Sequence, residues 1–463
     1  MTTTSTEPAS GSQWRHFTSA GAHRDTVTIT SAAGCYFWDT TGKRYLDALA
    51  GLHSVNIGYG PWPEIEAAAS KQLATLPFFP NWFGFANDVA EQLAERLIGL
   101  SPFDDGAAFF VQSGSEAVES AMKLALQYHK IRGDVQRNLF VSRTGAYHGV
   151  TMGALTLNGS DVFRAPFEPL PNRIRKAAPT YPYRCQWCAP VGHCNLSCGD
   201  DVETAILDAG PENVAAVVIE PLQNSGGALV PPDGYPQRVR EICDRYGVLL
   251  VLDETICGFG RVGEWFGSIR FGFQPDIITM AKGLTSSYAP MGAMIASSGV
   301  AEPFFSKDSR TFMHGSTFGG HPVSSAIAMA NLDIIEHQGM LAGVRQKSVK
   351  LRAMCEDLAS HHPMVAEVRG DGFFIALELV KDRERRLAFT PEERSQLISK
   401  VLMPGARRRG LQMKFDDRLE LAALFTPPLI AAEDEFDIMV STLKSVLDEA
   451  WTEVHAGRVS GSC

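Results

Sequence analysis

The spacing of apolar and polar positions divides the chain into three stretches. Residues 14–60 alternate short apolar runs with turn residues, which predicts small hairpins. Apolar residues at helical spacing then predict helices over 64–76 and 87–100, separated by an aromatic, proline-bounded loop that contains Trp82. A loop of this kind usually packs into a core or an interface.

From about residue 107 to residue 335 the pattern repeats strand, loop and helix. The strands are short apolar runs, and segments with helical spacing separate several of them. The predicted strands are 107–112, 139–142, 214–220, 248–253 and 277–281, and the predicted helices are 117–129 and 236–246. This alternation predicts an α/β fold whose mostly parallel sheet has helices on both sides.

After about residue 336 the order of the elements changes. Two strands now follow each other across a Gly-Asp-Gly turn, between longer helical segments. The predicted helices are 340–361, 391–401 and 433–455, and the predicted strands are 365–369 and 373–379. Strands that are grouped with helices in this way predict a smaller α+β domain.

Composition and charge narrow the range of functions. The chain has 463 residues, of which 45% are hydrophobic and 20% charged, as in ordinary globular proteins. The formal charge of −10 argues against nucleic acid as a partner, and no apolar run approaches the ~18 residues that span a membrane. The first 13 residues predict a loose tail and not a signal peptide. Nine cysteines, an odd number, favour a reducing cytoplasm over a disulfide framework.

The stretch with the strongest chemical implication is 277–284, a buried strand that ends in Lys282 and then breaks at Gly283. Open α/β sheets bind their ligands at the carboxyl ends of the strands. A buried ammonium loses hydration, so we expect the pKa of Lys282 to fall from about 10.4 towards neutrality. A neutral amine is a nucleophile towards carbonyl compounds. The alternative is a lysine that extends from the strand end into solvent.

Two short motifs follow other predicted strands. Gly114 and Ser115 lie where a helix begins, and backbone N–H groups at such a position bind anions, although a simple helix cap is the alternative. Tyr147 and His148 lie between two glycines. A ring there can stack on a planar ligand, and a buried structural tyrosine is the alternative.

Two more motifs complete the set. Asp253 and Glu254 end a strand, and a buried carboxylate is unfavourable without a cation, so we expect Asp253 to have a cationic partner such as a protonated pyridine nitrogen. A helix cap or an ion pair within the protein is the alternative. The glycine-rich loop 314–322 has small hydroxyl residues that can contact a phosphate, or it is an ordinary connection. The motifs occur in order at strand ends and loops of one predicted sheet, which favours a single site.

These motifs resemble those of the class III pyridoxal-phosphate aminotransferases, which include ω-amino-acid and amine transaminases. The resemblance extends from about Phe17 to Asp448, which is nearly the whole chain. Its most specific parts are 253–261 and 275–284, and its supporting matches are 113–117, 147–149, 220–221 and 315–322.

The resemblance implies a fold type I enzyme that is active as a homodimer with its site at the subunit interface. Lys282 would hold pyridoxal 5'-phosphate as an internal aldimine, a Schiff base, and would shuttle the proton during transfer. Asp253 would pair with the pyridinium nitrogen, which keeps the ring an electron sink. Tyr147 would stack on one ring face. The implied parts of the chain are a large cofactor-binding domain over 61–335 and a small domain from both chain ends, 1–60 and 336–463.

Other residues are implied to contact the phosphate and the ring substituents. Gly114 and Ser115 would bind the phosphate, with Thr317 reaching over from the other subunit. Gln223 would approach the ring hydroxyl, supported by Glu220. The full implied cofactor set is Gly114, Ser115, Tyr147, His148, Glu220, Gln223, Asp253, Thr255, Lys282 and Thr317.

The chain departs from the family pattern near the substrate. Thr255 stands where valine usually follows Asp-Glu. His53 replaces a tryptophan that many amine transaminases have after Gly-Leu, which predicts a more polar pocket for a hydroxylated or charged substrate. Trp82 would face this pocket from the partner subunit. The arginine that usually binds the substrate carboxylate is not at its usual place, and Lys414 or Arg418 would replace it, a lysine without the bidentate fork.

Four cysteines, Cys185, Cys188, Cys194 and Cys198, have a spacing that resembles zinc sites, and His193 lies beside them. Prolines and glycines such as Pro190 and Gly192 mark the segment as a loop. The sequence favours free or partly oxidised thiols over a structural zinc site, so we predict no metal site.

The sequence thus predicts a cytoplasmic, dimeric aminotransferase. It would move an amino group from an amine or ω-amino acid to a keto acid or aldehyde by a ping-pong route. Two alternatives stay open. An epimerase or racemase of amino compounds would share the proton chemistry of Lys282 without releasing a ketone. A zinc-binding or scaffolding protein on the same fold would have no such chemistry.

Overall fold

The computed structural model describes residues 13–18, 26–188, 193–306 and 310–459. Most of the predicted N-terminal tail, residues 1–12, lies outside the described residues, as do Pro190 and Gly192 of the cysteine-containing loop. Within these ranges, no helix is both long and apolar enough to cross a bilayer.

A seven-stranded sheet lies at the centre of the fold. Among its described strands, six run in one direction and Gly292–Ser297 is antiparallel to its two neighbours. The spatial order is Gly106–Val111, Gly292–Ser297, Ile277–Met280, Leu249–Asp253, Val214–Ile219, Leu139–Arg143 and Ile174–Ala177. The predicted α/β class with a mostly parallel sheet is therefore confirmed.

Helices pack on this sheet and explain the composition of its middle strands. Every residue of Val214–Ile219, Leu249–Asp253 and Ile277–Met280 is buried, which favours apolar side chains on both faces. The helices in this part of the chain are Pro63–Thr75, Asp88–Leu100, Gly114–Ile131, Met152–Leu157, Asp161–Arg164, Ser197–Ala209, Tyr235–Tyr246, Gly267–Phe271, Ser298–Phe305 and Pro322–His337.

Two four-stranded sheets flank the central one, and the first joins the two ends of the chain. Its order is Ile29–Ala33, Tyr36–Asp39, Arg44–Asp47 and Leu411–Gln412, and the last pair is parallel. The second sheet is antiparallel, in the order Val365–Asp371, Phe374–Leu379, Ala422–Phe425 and Lys414–Asp416. The N–H of Ala48 donates to the carbonyl of Gln412 at 2.8 Å, so the segment after Arg44–Asp47 lies beside Lys414.

The C-terminal helices agree with their predictions at two places and differ at one. Met340–His361 and Glu433–His455 have the predicted bounds. The helix predicted over 391–401 instead continues to Arg408, as the segments Pro391–Gln396, Leu397–Leu402 and Met403–Arg408, of which the middle one is π-helical. Pro404 has no N–H to donate, so the regular ladder of hydrogen bonds is interrupted where it enters the helix.

Candidate active site

Lys282 lies at the carboxyl edge of the central sheet. The strand Ile277–Met280 ends two residues earlier, and the chain turns at Lys282 with a φ of +45°. A Cβ on Gly283 would lie 2.4 Å from the Asn56 amide nitrogen, so this position tolerates only glycine. The side chain of Lys282 has no hydrogen bond or ion pair with another described residue.

The surroundings of Lys282 depress its basicity. Burial lowers the pKa of the amine to about 8, and the nearby charges of Lys414 and Arg418 act in the same direction, while Asp253 opposes them. The predicted fall towards neutrality is therefore present in the structure. A proton leaves such an amine far more readily than it leaves an exposed lysine.

Asp253 lies beside Lys282 because neighbouring parallel strands end at the same edge of the sheet. It ends Leu249–Asp253 and is the register partner of Thr279. Its Oδ1 accepts hydrogen bonds from the Thr255 N–H at 3.1 Å and the Thr279 hydroxyl at 3.3 Å, and its Oδ2 accepts one from His148 Nδ1 at 3.0 Å. Burial raises the pKa of Asp253, but the hydrogen bonds and charge of these neighbours outweigh it, so the pKa lies below its ordinary value.

A single cavity contains most of the residues that the sequence singled out. Those that line it are Gly114, Ser115, Tyr147, His148, Glu220, Asp253, Thr255 and Lys282. Two members of the implied cofactor set do not. Gln223 is fully buried and its amide donates to the carbonyls of Thr144 and Ser225, and Thr317 is exposed on its loop.

One end of the cavity is the start of the long helix Gly114–Ile131. Ser113 is the N-cap, and its hydroxyl accepts a hydrogen bond from the Glu116 N–H at 3.2 Å. The N–H groups before Glu116 have no acceptor within the helix and carry its positive dipole end. A Cβ on Gly149 would lie 2.5 Å from the Ser115 hydroxyl, so glycine lets the 147–149 loop approach this end closely.

Tyr147 and Glu220 form another wall of the cavity. The Tyr147 ring packs edge-on against the Phe163 ring, with 5.2 Å between the ring centres. The backbone N–H of Tyr147 donates to Glu220 Oε1 at 3.3 Å. Burial raises the pKa of Glu220, while His148 and Arg143 lower it in part.

The substrate residues predicted near the C-terminus form a charge cluster around the buried carboxylate of Asp416. Asp416 Oδ2 accepts a hydrogen bond from Arg418 Nε at 2.8 Å and lies 2.9 Å from Lys414 Nζ. Burial raises the pKa of Asp416, but these two cations hold it below its ordinary range. The guanidinium of Arg418 also lies 5.8 Å from the centre of the Tyr147 ring, so the cluster borders the Lys282 cavity. Lys414 and Arg418 are therefore both present near the site.

Asp416 itself was missed from the sequence, although a signal for it exists. Lys414 and Asp416 are two apart in Lys414–Asp416, and side chains two apart share one face of a strand. The segment was not predicted as a strand because only three residues of it pair. His148 was predicted as a cofactor contact, and its hydrogen bond to Asp253 was not predicted.

Trp82 and Thr317 lie on one exposed surface of the subunit. The Trp82 indole N–H donates to the Ser316 carbonyl at 3.4 Å, and a Cβ on Gly315 would meet the Trp82 ring at 2.5 Å. Trp82 therefore contacts the loop that carries Thr317 and does not line the Lys282 cavity of its own subunit.

The four cysteines with the zinc-like spacing all lie in the described part of the chain. Cys185, Cys188, Cys194 and Cys198 are free thiols, and the Cys188 N–H donates to Cys185 Sγ at 3.4 Å. In the residues that are described, no three or more His, Cys, Asp or Glu side chains are grouped to hold a metal ion.

Comparison with known proteins assigns the class that this fold and cavity define. A family model described as aminotransferase class-III matches residues 17–447. The chain therefore belongs to the class-III aminotransferases, and it is an enzyme.

Individual relatives cover nearly the whole chain. A probable aminotransferase of Mycobacterium tuberculosis is 45% identical over 437 residues, which are 94% of this chain and 92% of that protein. A putrescine–pyruvate aminotransferase of Pseudomonas aeruginosa is 35% identical over 92% of both chains. The crystal structure of an (S)-enantioselective omega-transaminase from Thermomicrobium roseum is similar with a TM-score of 0.87 at 35% identity, covering 94% of this chain and 96% of that one.

Proposed function

We propose that this aminotransferase uses pyridoxal 5'-phosphate to move an amino group from an amine or ω-amino acid to a keto acid or aldehyde by a ping-pong route. One observation carries the proposal. An amine without a protein partner and an ionised carboxylate, Lys282 and Asp253, lie at the ends of neighbouring strands and line the same cavity.

The residues of the cavity fit this cofactor. A helix of 18 residues directs its first N–H groups at one end, which suits a phosphate. Gly114, Thr255 and Ala281 border a space that a side chain at position 114 would fill. A Cβ on Gly114 would lie 3.1 Å from the Thr255 methyl group. Tyr147 supplies an aromatic wall. When bound, pyridoxal phosphate supplies a conjugated ring that withdraws electrons from the substrate carbon.

The chain's own residues then hold charge and move protons. Lys282 Nζ, with a pKa of about 8, exists partly as the neutral amine near neutral pH, so it can attack an aldehyde carbon and later accept and return a proton. Asp253 stays ionised and would present its carboxylate to the ring nitrogen of the cofactor. His148 donates to that carboxylate and fixes its orientation.

The charge cluster at the cavity border favours substrates with an anionic end. Lys414 and Arg418 carry two positive charges and Asp416 one negative charge, so the cluster is cationic overall. Three hydrogen bonds from Arg418 to Asp416 hold this arginine in place, two from its guanidinium and one from its N–H. We therefore propose that Lys414, with its remaining N–H donors, binds the carboxylate of a keto acid or ω-amino acid.

We also propose a homodimer in which Trp82 and Thr317 reach the partner's site. The surface around them is rich in exposed aromatic side chains, including Phe83 at 91% and Phe318 at 54% exposure. Exposed apolar patches of this kind mark interaction surfaces. Of the residues implied to bind the phosphate, Thr317 is the one that does not line the Lys282 cavity of its own subunit.

The experiment that tests the function is a two-substrate assay. Purified protein is supplied with pyridoxal phosphate, a panel of amines and ω-amino acids, and pyruvate, which the name of one relative specifies as its acceptor. We expect alanine to form in equal amount to the ketone or aldehyde, and only when pyruvate is present. A racemised donor without any keto-acid requirement would instead support the epimerase alternative.

Replacement of Asp416 tests the charge cluster. Asp416→Asn leaves two partly buried cations without their counter-charge, so we expect the free energy of unfolding to fall by about 3 kcal/mol and KM for pyruvate to rise. Urea unfolding and steady-state kinetics measure the two effects. Asp417→Asn, an exposed neighbour, is the matched control and should change neither. Equal behaviour of the two variants would contradict the role of Asp416.

A further inference from the structure

One buried side chain that does not line the cavity, that of Asn158, holds the 145–149 loop, which carries Tyr147 and His148. The Asn158 amide oxygen accepts a hydrogen bond from the His148 backbone N–H at 2.7 Å, and its amide nitrogen donates one to the Gly149 carbonyl at 2.8 Å. Asn158 is buried to 0% exposure, so bulk water does not compete for either bond. A single amide therefore satisfies one donor and one acceptor on successive residues of the loop.

The backbone around Asn158 is fixed as well. The Asn158 carbonyl accepts a hydrogen bond from Lys176 Nζ at 3.1 Å, and the Gly159 N–H donates to the Ala146 carbonyl at 2.8 Å. A Cβ on Gly159 would lie 2.2 Å from the Gly145 backbone nitrogen, so only glycine lets the two segments approach so closely. The chain at 158–159 thus lies directly against the loop that the Asn158 side chain holds.

The held loop contacts both ends of the cavity. At one end, His148 Nδ1 lies 3.0 Å from Asp253 Oδ2, so the position of the His148 backbone determines where its ring meets that carboxylate. At the other end, the Val150 N–H donates to the Ser115 hydroxyl at 3.1 Å, beside the start of the long helix. The two hydrogen bonds of the Asn158 amide lie between these contacts along the chain.

We propose that Asn158 is a positioning residue for the cofactor, because it holds the carboxylate end and the phosphate end of the cavity at the spacing that pyridoxal phosphate requires. This inference rests on the proposed function. An amide suits the position because it has a donor and an acceptor side by side. An apolar side chain there would leave a buried N–H and a buried carbonyl without partners, and the loop would shift.

The test compares two substitutions of equal shape, Asn158→Thr and Asn158→Val. The threonine hydroxyl can accept one hydrogen bond and donate another, whereas the valine side chain can do neither. A branched side chain fits this position, because its φ of −61° and ψ of 132° are extended. We expect the dissociation constant of pyridoxal phosphate from the protein to rise about tenfold in Asn158→Val and less than about threefold in Asn158→Thr.

Two further measurements separate positioning from stability. Urea unfolding of the apoprotein reports stability, and visible circular dichroism of the cofactor-saturated protein reports how rigidly the cofactor is held. A merely structural role would lower stability in Asn158→Val but leave the dissociation constant and the ellipticity of the folded protein unchanged. Asn213→Val is the matched control, because the Asn213 amide also donates to a carbonyl, that of Ala209 at 3.0 Å, and lies outside the cavity lining. It should change neither quantity.

These measurements need neither an amine donor nor turnover. Weaker binding in Asn158→Val, with Asn158→Thr close to the wild type, supports the role of Asn158 even if no alanine forms. Absence of transamination would then contradict the proposed function alone. If Asn158→Val does not fold, Asn158→Asp replaces it, since a carboxylate cannot donate to the Gly149 carbonyl and should also weaken binding about tenfold. Wild-type binding in the folded variant, or equal losses in Asn158→Thr and Asn158→Val, would overturn the inference.

Discussion

Lys282→Ala is expected to lose covalent attachment of pyridoxal phosphate and at least about 10⁴-fold in turnover, because one change removes both the nucleophile and the proton carrier. The measurements are borohydride reduction followed by peptide mapping, and alanine formation with an excess of amine donor. In the wild type, reduction should fix the cofactor to the peptide that contains Lys282.

Lys176 offers a control within the same molecule. It is also a buried lysine with a lowered pKa, about 7, and its amine donates to Ser142 and to the carbonyls of Leu157 and Asn158. It does not line the cavity. We therefore expect no label on Lys176, since the position of the amine decides the attachment, and not its basicity alone. Label on Lys176, or label that survives in Lys282→Ala, would contradict the assignment.

The pH dependence of attachment follows from the same amine. The folded-state pKa of Lys282 is lowered from 10.5 to about 8, and only the neutral form attacks an aldehyde. The rate at which the wild-type apoprotein takes up cofactor should therefore rise with pH up to about 8 and then level off. An exposed lysine would show this rise about two pH units higher.

The position of Lys282 and Asp253 could be predicted from the sequence because local pattern and sheet topology agree there. Each follows a short, mostly apolar run, and parallel strands between helices bring their carboxyl ends to one edge. The register partner of Asp253 is Thr279, three residues before Lys282. No long-range information beyond the strand alternation was needed.

The substrate side could be predicted only in part, because it depends on contacts between distant parts of the chain. His53 and Thr426 are 373 residues apart, and their hydrogen bond requires the pairing of Leu411–Gln412 with Arg44–Asp47. A two-residue strand has no periodic signal. The sequence therefore predicted a polar pocket at His53 but not the hydrogen bond of its ring to Thr426.

One edge strand of the central sheet was not predicted, for a related reason. Ile174–Ala177 contains two basic residues and lies at the border of the central sheet, where one side needs no apolar cover. Its alternation is too short to distinguish it from a loop. Gly292–Ser297, in contrast, is apolar, but it runs antiparallel in a region where the strand–helix alternation predicted parallel neighbours.

Asp253→Asn is the second change with a large expected effect. The substitution keeps the size of the side chain and a carbonyl oxygen for His148, but it removes the negative charge that would hold a proton on the ring nitrogen. We expect turnover to fall by about 10³-fold, as for the loss of a preorganised electrostatic contact, with pyridoxal phosphate still covalently bound. Absorbance of the bound cofactor against pH reports the ring proton directly, and alanine formation reports turnover.

Glu254→Gln is the matched control, because Glu254 is the next carboxylate along the chain and does not line the cavity. Its two oxygens accept the N–H groups of Gly267 and Ser268, and an amide keeps only one of these acceptors, so Glu254→Gln costs stability but leaves the lining of the cavity unchanged. Glu254→Gln should therefore keep most of the turnover and the wild-type absorbance. Equal losses of turnover in the two variants would show that any change at this strand end impairs the enzyme. The assignment of the Asp253 charge to the ring nitrogen would then be wrong.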